Sequence, residues 1–118
     1  MSKICSYAQG FALLNEASGH YDWELDLAKV ALIWREGCII RAGFLEQIAS
    51  AFSRNPNLTN LLLDDYFQEA ISQGQQGWRR VVATAATWGV PVPGFGSALF
   101  YYDSYRRERL PANLVQAQ

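Results

Sequence analysis

Asp64-Asp65-Tyr66-Phe67-Gln68-Glu69-Ala70-Ile71-Ser72-Gln73-Gly74-Gln75-Gln76-Gly77-Trp78-Arg79-Arg80-Val81-Val82-Ala83-Thr84-Ala85 is the stretch that decides the fold. Tyr66, Phe67, Ala70 and Ile71 place apolar side chains on one helical face, and Trp78, Val81, Val82 and Ala85 resume the same period. Gly74 and Gly77 interrupt it. Each costs a helix about 1 kcal/mol relative to alanine. Because the register is kept across both glycines, the spacing predicts one long helix that ends near Gly89.

The same period extends on both sides. Ile4, Tyr7, Ala8, Phe11 and Leu14 form a first stripe, with Gly19 and His20 at its end. Asp26 precedes Leu27, Val30, Ala31 and Trp34 in the place of an N-cap. Gly37 would stop or kink that second helix. Ile39, Ala42, Leu45, Ile48, Ala49 and Phe52 supply the next stripe, and Asn55-Pro56-Asn57 is a turn. Val90-Pro91-Val92-Pro93 reads as extended, since each proline lacks a donor and restricts its predecessor. A last helix is expected from about Phe95 to Arg107, with Ala98, Leu99, Tyr102 and Tyr105 on one side. Pro111 then restarts the chain at a first helical position. No segment alternates as a half-buried strand does. The expected fold is all-α, a bundle of about five helices. The segment from Pro111 stops within about two turns of its start and has no cap, which predicts a piece of a larger helical domain.

Composition narrows the function classes. Half of the 118 residues are hydrophobic and 14% aromatic, enough for one packed domain over residues 1–118. Ten basic and eleven acidic residues leave a formal charge of -1, so no basic footprint for nucleic acid or membrane is expected. The longest uncharged window, 81–102, contains Gly89, Pro91, Pro93, Gly94 and Gly96, which would break a spanning helix. No secretory leader pattern opens the chain, and a cytoplasmic location is expected.

Individual reactive side chains are sparse. Cys5 and Cys38 lie in apolar helical patterns and are expected as buried free thiols. His20 is the single histidine and reads as a surface or capping residue. With one His and two Cys, no zinc spacing exists, and no metal site is expected. Asp64-Asp65 suits helix-start acids better than metal ligands. Gly94-Phe95-Gly96-Ser97-Ala98-Leu99 opens like a dinucleotide fingerprint but carries Leu99 at the third glycine position and follows two prolines instead of a strand. Arg79-Arg80 and Arg106-Arg107 are expected on a solvated face or in local ion pairs. Trp23, Trp34, Trp78 and Trp88 are as much expected at a partner interface as in core packing.

Longer motifs add to this. Ser2-Lys3-Ile4-Cys5-Ser6-Tyr7-Ala8-Gln9-Gly10-Phe11, Trp34-Arg35-Glu36-Gly37-Cys38-Ile39-Ile40-Arg41 and Asn60-Leu61-Leu62-Leu63-Asp64-Asp65-Tyr66-Phe67 resemble 6-phosphogluconate dehydrogenase in order and register. So do Trp78-Arg79-Arg80, Gly89-Val90-Pro91-Val92-Pro93, Tyr102-Asp103-Ser104-Tyr105-Arg106 and the tail 110–118. The resemblance covers essentially the whole chain and only the C-terminal helical part of that enzyme. It implies a parent that oxidises 6-phosphogluconate with NADP and decarboxylates the product to ribulose 5-phosphate in the pentose phosphate pathway. It also implies a homodimer whose contact is largely helical. The cofactor domain, the lysine base and the glutamate acid are implied upstream, and an arginine and a histidine that reach the neighbouring subunit are implied just beyond Gln118. No catalytic or cofactor-binding residue therefore carries over to this chain. Ile39, in the turn 37–40, is the one candidate for a substrate-pocket wall, with core packing as its equal alternative. The chain alone is expected to bind no NADP and to turn over nothing. A different class, a free-standing helical self-association module without catalysis, is the competing reading.

Overall fold

The computed structural model describes residues 1–35 and 43–107. Among the described residues there are five α-helices and no strand: α1 (Ser2–Tyr21), α2 (Leu27–Arg35), α3 (Phe44–Arg54), α4 (Asp65–Trp88) and α5 (Pro93–Tyr105). A single 3₁₀ turn, Leu61–Leu63, precedes α4. The all-α expectation holds. No described helix is long and apolar enough to cross a membrane. Cys38, Ile39, Ala42 and the expected helix from Pro111 lie outside the described residues.

The chain divides into two compact units, Tyr7–Ala70 and Met1–Ser6 with Ile71–Gln118, and both boundaries fall inside helices, α1 and α4. In the first unit α2 packs on α3. Their buried faces are Leu27 and Ala31 on one side and Leu45, Ile48, Ala49, Ala51 and Phe52 on the other, the periodic positions of the sequence. Phe11 of α1 stacks on Phe52 with ring centroids 5.5 Å apart. Burying an aromatic side chain of this kind contributes roughly 1.5–3 kcal/mol. Asp26 caps α2 as expected, its Oδ1 accepting from the Lys29 amide at 3.2 Å.

In the second unit α4 runs unbroken through Gly74 and Gly77. At Gly74 the reason is a close approach: an added Cβ would stand 2.9 Å from the Met1 side chain. At Gly77 nothing lies within 4 Å, so that glycine has no packing cause. The helix ends where the sequence placed its end. Gly89 takes φ +69°, the Val90 amide donates to the Ala85 carbonyl at 2.8 Å, and the Gly89 amide donates to Ala86 at 3.3 Å. These two bonds form a Schellman motif.

Two local expectations need correction. Pro93 is not extended; it opens α5 two residues before the expected start, because the first helical position needs no amide hydrogen and proline's φ is already helical. Leu61–Leu63 leads into α4 as a turn of its own. Asn60 Oδ1 accepts from the Leu62 amide at 2.9 Å, closing a separate 3₁₀ turn that Asp64 terminates. Tyr66, Val81 and Tyr105 were placed on apolar faces and are instead about half exposed, while Phe67, Ile71, Trp78 and Ala85 carry the burial along α4.

Candidate functional site

The stretch that contains Ile39 joins α2 to α3, and its two flanks are described. Trp34, at the end of α2, meets Tyr7 and Phe11 edge-on with centroids 6.1 Å away in both cases. Tyr7 also meets Phe44, the first residue of α3, at 4.9 Å and 85°. Arg35 Nη1 donates to Glu46 Oε1 at 3.2 Å. Four aromatic rings and one ion pair thus hold the exit of α2 beside the entry of α3. Edge-to-face pairs of this kind add about 0.5–1.5 kcal/mol each beyond area burial. Trp34 is still 43% exposed, so its outer face is available beyond these contacts. Ile39 itself lies outside the described residues.

The best-defined polar constellation is elsewhere. Arg79 of α4 donates through Nη1 to Asp103 Oδ2 of α5 at 2.8 Å, and through Nη2 to Oδ1. Such fork-on-fork pairing fixes orientation as well as distance. The hydrogen bonds hold the Asp103 carboxyl below the ordinary carboxylate value and push the Arg79 guanidinium further up. Beside it, Arg106 lies over the Tyr102 ring at 4.8 Å and donates to the Tyr102 hydroxyl at 3.1 Å. Trp78 is buried with its ring 6.3 Å from that of Tyr102. The sequence put Arg79 on a solvated face or in a local pair; its partner is in fact 24 residues away. Sequence spacing cannot find such a pair, because it depends on which face of α4 meets α5.

The remaining candidates are ordinary structure. Cys5 is fully buried, and desolvation pushes its thiol up to about 11, the opposite of an activated nucleophile. His20 closes the last turn of α1, edge-on to Tyr21 at 4.7 Å. Asp65 stands in the first turn of α4 as expected, while Asp64 Oδ1 accepts from Arg54 Nη2 at 2.8 Å. Among the described residues, no group of three His, Cys, Asp or Glu side chains could hold a metal ion. Gly94 and Gly96 sit inside α5, and Val92 precedes it in an irregular conformation. A nucleotide's pyrophosphate needs a strand, a tight turn and a free helix start, so these residues do not fit NADP. Of the tryptophans, Trp78 is core, whereas Trp23, Trp34 and Trp88 are 54%, 43% and 77% exposed.

Comparison with known proteins gives these helices a context. The family model of the 6-phosphogluconate dehydrogenase C-terminal domain matches residues 1–118. A decarboxylating 6-phosphogluconate dehydrogenase of Ceratitis capitata is 58% identical over 117 residues, 99% of this chain and 24% of that relative. One from Staphylococcus epidermidis is 58% identical over 118 residues, all of this chain and 25% of that relative. Among solved structures, Plasmodium falciparum 6-phosphogluconate dehydrogenase is similar with a TM-score of 0.94 and 43% identity, over 99% of this chain and 25% of that one. That protein was solved in its apo form, with its cofactor NADP+ and with its substrate 6-phosphogluconate. The chain spans about a quarter of the length of the curated relatives it matches.

Proposed function

The chain belongs to the 6-phosphogluconate dehydrogenase family, matching its C-terminal domain, and from that premise we propose that residues 1–118 are an incomplete helical domain serving as scaffold in an NADP-dependent decarboxylating dehydrogenase. The parent reaction is 6-phosphogluconate plus NADP+ to ribulose 5-phosphate, CO2 and NADPH, a step of the pentose phosphate pathway in the cytoplasm. The observation that carries this reading is 58% identity maintained over the full chain. In the parent, these helices form subunit contact in a homodimer, and Ile39 lines the substrate pocket from the helical side.

The physical reading of the side chains supports a scaffold role. The one described cysteine is desolvated, and the strongest charge pair is closed on itself between α4 and α5. Large exposed apolar side chains, among them Trp88 at 77%, Ile33 at 68% and Phe100 at 64%, supply surface for self-association. A chimera tests the reading. The matching quarter of the Staphylococcus epidermidis enzyme is replaced by this chain, and NADPH formation from 6-phosphogluconate is followed. Turnover by the chimera, with none from the 118-residue chain alone, is the expected result. A dead but folded chimera, or appreciable turnover by the chain alone, refutes it. In the active chimera, Ile39→Ser should raise KM for 6-phosphogluconate more than it lowers kcat; an unchanged KM would remove Ile39 from the pocket. Sedimentation of the chain should show a concentration-dependent oligomer, and a clean monomer at high concentration counts against the contact role.

A further inference from the structure

We draw no further inference here: the strongest candidate, the open apolar groove of about 390 Å³ that Val81, Thr84 and Ala85 of α4 form with Val90 and Val92, carries nothing because nothing in the structure shows what covers it.

Discussion

The connection after α1 and the connection after α4 solve one problem with different materials. Both helices end on a left-handed residue followed by an amide that reaches back five positions. After α4 the residue is Gly89 at φ +69°, with Val90 donating to Ala85. After α1 it is Asp22 at φ 57°, with Trp23 donating to Ser18 at 3.0 Å. Glycine reaches that region freely, whereas a residue with a Cβ is held there at a cost. The α1 exit meets the cost with side chains: Ser18 Oγ accepts from the Leu25 amide at 2.9 Å, and Asp26 caps the next helix. The α4 exit uses backbone restriction instead, with Pro91 limiting Val90 and Pro93 opening α5. A second left-handed residue, Glu24 at φ 52°, makes the α1 exit the more strained of the two. The lesson is that a chain reversal can be specified by backbone chemistry alone or by polar side chains that restrain a less suitable backbone.

The sharpest way to break the comparison is Gly89→Val. A β-branched residue at that φ should destabilise the chain by about 2 kcal/mol, read as a fall in the urea midpoint at constant slope. A loss below a few tenths would mean that Gly89 is not the reason α4 ends there.

The α4 exit also has a charged restraint, the Arg79–Asp103 pair that ties the helices on either side of it. Asp103→Asn should cost about 1 kcal/mol near neutral pH, the value of a well-formed but partly exposed pair. Because the folded-state value of Asp103 is depressed, its contribution is present above the ordinary carboxylate value of 3.8 and is lost as pH falls through the lower folded value. Thermal melts across that acid range should therefore converge for the two proteins as pH drops. Parallel curves would show that the pair stabilises nothing.

On the α1 side, Ser18→Ala removes the acceptor for the Leu25 amide and should cost about 1 kcal/mol, with faster amide exchange at Leu25. Unchanged exchange would show that the hydroxyl does not restrain the loop. The smallest expected effect is a gain: Asp22→Gly relieves a left-handed aspartate and should stabilise by about 0.5 kcal/mol, after the entropy that glycine adds to the unfolded chain. A loss of stability there would mean that the aspartate side chain contributes more than its conformation costs.

These two connections also show why part of the molecule is legible in its sequence. Gly89, Asp26 and the turn at Asn55-Pro56-Asn57 act through their own backbone or a neighbour three residues away, so local sequence was enough to place them. Pro93 was misread because the same proline suits an extended strand edge and a first helical turn, and only the amphipathic register of Ala98 and Leu99 distinguishes them. Asp22 gave no signal, since an aspartate in the left-handed region is recognisable only from the bonds that hold it. For the candidate site, Ile39 came from a resemblance of motifs, and the aromatic frame around its flanks came from structure, because Tyr7, Trp34 and Phe44 are far apart in sequence.

By itself the sequence determined the all-helical class, most of the helix boundaries and the family, because periodicity, caps and long ordered motifs are properties of neighbouring residues. Only the tertiary structure decided that Arg79 pairs with Asp103 and that Trp78 is buried while Trp88 is not. The physical reason is that a helix fixes which side chains share a face, while packing alone chooses what that face meets.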